Sequence, residues 1–155
     1  MRLSDILQPD CVKVPLDATS SQEAIGELID LLVAKTGLSD ADELKRAVWQ
    51  REQTRTTGIG HGIAIPHGKN SGCDRLQMAI GKPATPIDFD AVDGRPVDLI
   101  FLLASPVDQT GPHIQALANI SRMLTDDTFR DEIKKAQSPD QLYQLICEHE
   151  AQRTA

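Results

Sequence analysis

The residues of this chain best suited to chemistry are histidines set among glycines. His67 closes the stretch from Thr56 to Gly68, in which Gly58, Gly60 and Gly62 alternate with bulkier residues ahead of Ile63-Ala64-Ile65-Pro66. Glycine lets a backbone turn tightly and approach another group closely. Pro66 fixes its own φ and holds Ile65 extended. The pattern predicts an imidazole displayed from the end of a short, stiff, buried strand, with Gly68 leaving room for an approaching reactant. The run has neither the Gly-Lys-Ser/Thr ending of a P-loop nor the order of a dinucleotide fingerprint, so no nucleotide site is indicated.

Two further residues join His67. His113 falls two positions after Gly111, in the first turn of an expected helix, where free N–H groups and the helix dipole favour an anion. Taken alone it reads more readily as an exposed polar residue at a helix start. Arg51 ends another expected helix and enters the loop leading to His67. Its guanidinium could hold a phosphate in a fork, or could cap the helix C-terminus. With the loop residues Thr57, Gly58, Gly60, His61, Gly62 and Gly68, these groups describe phosphoryl transfer through histidine. A neutral imidazole is a competent nucleophile near neutral pH, and such transfer demands in-line positioning and donors for the phosphoryl oxygens. With no nucleotide motif present, the phosphoryl group must come from another protein, and no cofactor is expected.

The elements that position these residues follow from periodicity and caps. Residues 3–6 suit a single helical turn, and Cys11 to Leu16 a first strand. Ser20 and Glu23 form a candidate capping box for a helix carrying Ala24, Ile25, Leu28, Leu31 and Leu32 and ended by Gly37. A second helix begins near Ser39 or Asp40, turns Leu44, Ala47 and Val48 inward, and ends around Arg51. Leu76, Met78 and Ile80 alternate with Gln77, Ala79 and Gly81, as in a strand with one buried face. Ile87 and Phe89 suggest an extended piece before a hairpin turn at Asp93-Gly94. Residues 97–104 are the most apolar run and predict a central strand, with Asp98 near its start. Pro112 suits the first position of a helix whose inner face is expected to be Ile114, Leu117, Ile120 and Leu124. A helix over residues 126–136 follows. The last is capped by Ser138 with Gln141 and faces the core through Leu142, Leu145 and Ile146. Intermixed strands and helices without a repeat or linker predict an α/β fold: one domain over residues 1–155, with a core of about 3–150, built as a sandwich of a mixed β-sheet flanked by helices.

Composition bounds the function. The 155 residues suffice for one buried core. A formal net charge of −7 argues against a nucleic-acid-binding face and suits basic protein partners. No apolar run approaches the length of a membrane span, and the N-terminus lacks a signal-peptide core. Cys11, Cys73 and Cys147 are few, odd in number and widely spaced. They read as reduced thiols, and the chain as cytoplasmic.

Residues 57–69 resemble the signature of the fructose/mannitol-type IIA domains of the phosphoenolpyruvate-dependent sugar phosphotransferase system, and most of all its nitrogen-regulatory branch. Residues 96–101, 106–110 and 136–146 resemble the same branch, so the similarity spans nearly the whole chain. The resemblance implies a mixed sheet sandwiched by helices, His67 as the phosphorylated residue, His113 as the second histidine assisting it, and Arg51 as the loop-flanking arginine. It further implies an HPr-like histidine phosphocarrier as donor and regulatory target proteins that read the phosphorylation state. The alternative is a carrier that relays the phosphoryl group to a separate IIB domain for sugar uptake. The sequence has no fused IIB or membrane IIC segment, which favours the switch over the relay. His61 departs from the family pattern, which usually has Asn or an acidic residue there.

Two other chemistries can be set against this one. His61, His67, His113 and Cys73 lack the tight spacing of a zinc site, so no metal is expected. Ser105 and Ser121 lack a nucleophile-elbow sequence, which disfavours a hydrolase. The glycine face together with Ile63–Ile65 is expected to form the docking surface around His67, used alike by the phosphocarrier and by targets that prefer the unmodified protein.

Overall fold

The computed structural model describes residues 2–154 and the side chains of residues 2–152. The apolar run that ends at Ser105 is its centre: β6 (Leu99–Ser105) is buried at every residue. One edge of β6 pairs antiparallel with β5 (Gln77–Pro83), which in turn pairs parallel with β1 (Leu7–Leu16). The other side pairs parallel with the very short β3 (Ile63–Ala64) and β4 (His67–Lys69), and β3 pairs antiparallel with β2 (Gly58–Gly60). The sheet is therefore mixed, in the order β1-β5-β6-β3-β2 with β4 also on β6.

β5 differs from the alternating strand expected of it, because Gln77 to Gly81 are all buried. A strand next to the centre of a sheet covered by helices has no solvent face, so its small and polar residues are buried with the large ones.

The helices begin and end largely where their caps indicate. The Ser20 hydroxyl accepts from the Glu23 amide (3.2 Å) at the start of α1 (Ser21–Thr36), and Gly37 closes it at φ 73°. The Glu23 carboxylate takes the serine hydroxyl (3.0 Å). Asp40 caps α2 (Ala41–Thr54), which continues one turn beyond the expected end at Arg51. At the last helix, α5 (Pro139–Thr154), the Gln141 amide donates to the Ser138 hydroxyl and the Gln141 side chain accepts from the Gln137 amide, both at 3.1 Å. Leu142 and Ile146 are buried there, with Leu145 half-buried against them. The Asp93-Gly94 turn is present with Gly94 at φ 73°, but only Ile87 and Val97 pair across it, so it tips a wide loop rather than a tight hairpin.

The phase of α3 (Thr110–Met123) is the main departure. It buries His113, Ala116, Ile120 and Met123, and leaves Ile114 60% exposed. The inward stripe is rotated by one residue from the apolar one because a polar residue, His113, is packed inward and takes its hydrogen bond from the sheet. α4 (Asp127–Lys134), capped by Asp126, joins α3 to α5.

Candidate functional site

The position of His67 follows from strand register. β4 lies parallel to the end of β6, pairing His67 with Leu103, Gly68 with Ala104 and Lys69 with Ser105. From Ser105 the chain enters α3, which returns His113 beside His67 with ring centroids 5.3 Å apart and planes inclined by 63°. The third wall comes from α2. A Cβ on Gly68 would fall 2.8 Å from Val48 Cγ2 and 3.1 Å from the Val48 amide nitrogen. The space at Gly68 is thus filled by the helix, not kept open for a reactant. This close approach brings Arg51 and Glu52, about one turn further along α2, to the His67 side of the sheet.

Nδ1 of His67 lies 2.8 Å from the carbonyl oxygen of Ile65. A carbonyl only accepts, so Nδ1 carries the proton and Nε2 the lone pair. Burial lowers the pKa of His67; the Ile65 carbonyl opposes the shift, the Arg51 charge adds to it and the Glu52 charge opposes it. The pKa of His113 is pushed down to about 4, first by burial and then by His67 and Lys69. Both rings are therefore neutral at neutral pH, as nucleophilic attack requires. His113 is 6% exposed and its own amide donates to the Gln109 carbonyl (3.1 Å), so it is neither an exposed helix start nor a free N–H for an anion. Its ring is what faces the site.

Arg51 donates through Nη1 to the Arg55 carbonyl (2.9 Å), closing the end of α2, while its charge is felt by His67. Of its two readings the structure shows the helix cap. Three residues to which the motif assigned no part in the transfer also lie here. Glu52, 9% exposed, accepts from the Thr57 amide (2.8 Å) and hydroxyl (2.5 Å). The Thr57 carbonyl accepts from the Ile65 amide (3.1 Å), so Glu52 helps fix the residue whose carbonyl holds His67. Lys69 donates to the Thr110 hydroxyl (2.8 Å) and ties β4 to the start of α3. The Ser105 hydroxyl lies 2.6 Å from Nδ1 of His113. Lys69 follows the histidine within the motif and could have been flagged there. Glu52 looks like any charged residue on a helix, and Ser105 like the polar end of a strand.

The glycine loop divides in two. Thr57 and Gly58 lie toward His67, and a Cβ on Gly58 would strike Ala91 Cβ at 2.8 Å. Gly60, His61 and Gly62 turn the chain between β2 and β3 at φ 99°, 58° and 77°. The Gly62 carbonyl accepts from the amides of Asp98 and Leu99, at the opposite end of β6 from the Leu103 that pairs with His67. Four residues of strand separate these points, about 13 Å. The structure does not bring Gly60, His61 and Gly62 to the imidazole. His61 instead receives the Asp93 carboxylate on its amide (3.0 Å) and the Lys134 ammonium on its carbonyl. The zinc set of His61, His67, His113 and Cys73 is not assembled, and among the described residues no group of three such side chains could hold a metal ion. Ile63, Ala64 and Ile65 are 1%, 0% and 4% exposed, so the expected docking surface on them is corrected: they belong to the core. The large apolar residues exposed on the connection from β6 and on α3 are Val107 and Ile114.

Among the described residues no helix is long and apolar enough to cross a membrane. The nitrogen regulatory protein of Escherichia coli (strain K12) is 39% identical over 153 residues, covering 97% of this chain and 92% of that protein. That of Klebsiella oxytoca is 38% identical over 151 residues, covering 96% and 91%. The crystal structure of the nitrogen regulatory protein IIA-Ntr from Neisseria meningitidis superposes with a TM-score of 0.85 at 27% identity, over 93% of this chain and 98% of that one. The family model for the phosphoenolpyruvate-dependent sugar phosphotransferase system, EIIA 2, matches residues 5–149, and with these similarities it establishes that the chain belongs to that EIIA family.

Proposed function

We propose that this protein accepts a phosphoryl group on Nε2 of His67 from an HPr-like histidine phosphocarrier, and that its phosphorylation state controls partner proteins. The observation that carries the chemistry is the Nδ1–H bond to the Ile65 carbonyl, which leaves the Nε2 lone pair as the nucleophile. In the transfer the N–P bond of the donor phosphohistidine breaks as a bond from His67 Nε2 to phosphorus forms, and the donor imidazole leaves with the electron pair. The product ring carries positive charge, which the Ile65 carbonyl stabilises through the same hydrogen bond. The Arg51 guanidinium and Lys69 supply positive charge, and the neutral His113 ring a donor, for the phosphoryl oxygens. Thr57, Gly58 and Gly68 act by setting the backbone around His67. Gly60, His61 and Gly62 act at the far end of the hairpin, in shaping it rather than in holding phosphate.

The similarity to nitrogen regulatory proteins over nearly the full length of both chains supports the regulatory reading. Residues 1–155 then work as a single cytoplasmic IIA unit. Relay to a separate IIB domain is the second reading, favoured by similarity to the fructose-specific EIIA component of Haloferax volcanii (31% identity over 146 residues, 94% of this chain and 95% of that protein). Val107 and Ile114 provide exposed apolar contacts for a protein approaching from the α3 side of His67.

Incubation with phosphoenolpyruvate, enzyme I and the phosphocarrier, followed by intact mass, tests the acceptor. Wild type should gain one phosphoryl group, labile in acid and stable in alkali, and His67→Ala none. Equal labelling of the two would refute the assignment. Adding a IIB domain then separates the readings, since a relay loses its label to IIB and a switch keeps it.

A further inference from the structure

The two neighbouring imidazoles are held by partners of opposite hydrogen-bonding character. His67 meets a carbonyl, which forces its proton onto Nδ1. His113 meets a hydroxyl, the 0%-exposed Oγ of Ser105, at 2.6 Å from Nδ1. Ser105 is held by the sheet, paired with Lys69 and accepting the Asn70 amide on its carbonyl (3.1 Å), so the hydroxyl has a fixed origin. A hydroxyl can donate as well as accept, and so permits a tautomer that a carbonyl excludes.

The chemistry at His67 requires that freedom. With Nε2 of His67 as the attacking lone pair, a phosphoryl group arriving between the rings needs a donor from His113, not a second lone pair. The Ser105 hydroxyl occupies Nδ1 of His113, which leaves Nε2 as the nitrogen for the incoming group. We infer that Ser105 is a positioning residue that donates its hydroxyl proton to Nδ1 of His113, fixing the Nε2–H tautomer and aiming that N–H at the phosphoryl group on His67. The tautomers of the two rings are then opposite, each set by its own backbone or side-chain partner. Should the phosphoryl dianion draw a second proton onto His113, the hydroxyl reverses and accepts from Nδ1–H, so the ring stays in place. This inference rests on His67 being the acceptor.

Imidazole nitrogen NMR of the unmodified protein at neutral pH reads the tautomers directly, without any transfer. The expected result is a bare Nδ1 and a protonated Nε2 on His113, with the reverse on His67. Transfer kinetics then compare Ser105→Thr, which keeps a hydroxyl, with Ser105→Val, which has nearly the same shape without one. The Thr variant should retain the His113 tautomer and transfer within about twofold of wild type. The Val variant should give mixed tautomers and a rate constant at saturating phosphocarrier about 10-fold lower, with KM unchanged. A proton on Nδ1 of His113 in the wild type overturns the inference, as does a Val variant that transfers as fast as the Thr variant. If the Val variant does not fold, the wild-type spectrum remains decisive, since it involves no substitution. If wild type is not phosphorylated at His67 while the tautomers are as expected, it is the acceptor reading that has failed.

Discussion

Gly68→Ala separates two explanations of the residue that follows the acceptor histidine. If the glycine keeps space for a reactant, the substitution should slow transfer and leave stability alone. The packing of α2 predicts otherwise. The added Cβ would meet Val48 Cγ2 at 2.8 Å, about 0.6 Å inside the 3.4 Å at which ordinary contact begins, and the Val48 amide nitrogen at 3.1 Å. Relief requires α2 to move outward, and overpacking of this kind costs about 1–3 kcal/mol. The lower chain entropy of unfolded Ala returns about 0.4–1 kcal/mol, leaving a net loss of about 1–2 kcal/mol, or a fall in Tm of several degrees for a domain of this size. The same movement draws Arg51 and Glu52 away from His67, so transfer should slow as well. Val48→Ala removes the nearest obstacle but costs about 2 kcal/mol of buried side chain by itself. The loss in the double variant should therefore be about 1 kcal/mol smaller than the sum of the two single losses, because only the backbone contact remains. Urea unfolding of the four proteins measures this coupling. A Gly68→Ala protein as stable as wild type, or losses that simply add, would refute the packing argument.

His113, with a folded pKa near 4 against an ordinary 6.5, binds its proton more readily when unfolded. Its contribution is therefore destabilising as pH falls below about 6.5 and levels off below about 4, and in His113→Gln, followed by urea unfolding against pH, that part of the slope should disappear. The same variant should be phosphorylated at least 10-fold more slowly, since a preorganised donor is loosened. Arg51→Lys should slow transfer several-fold in the rapid-quench assay, because an ammonium cannot both close the helix at the Arg55 carbonyl and present a second donor to phosphate; an unchanged rate would leave Arg51 as a cap alone. Ile114→Asp, on an exposed position, should leave thermal stability within about 0.5 kcal/mol of wild type while raising the KM for the phosphocarrier; an unchanged KM would place docking elsewhere.

What the sequence determined was mostly local. Ser20, Asp40, Ser138 and Gly37 mark helix ends because capping satisfies orphan backbone groups within a few residues of the cap. The apolar run ending at Ser105 had to be central, since no other arrangement buries all of it. The motif around His67 and its family resemblance were equally legible, because they rest on residue order alone. What only the tertiary structure decided was which of those residues meet. The glycine loop reads as one unit in sequence, yet pairing along β6 sends Gly60, His61 and Gly62 to one end of the strand and His67 to the other. The apolar periodicity of α3 pointed Ile114 inward, whereas the helix buries His113 because a hydroxyl on the sheet stands ready for its ring. Gly68 is small for the sake of a helix that follows from no nearby residue, and Glu52 gains its role only once α2 lies against β4. Strand register and helix phase are settled by contacts between segments distant in sequence, and no local pattern encodes the partner on the other side.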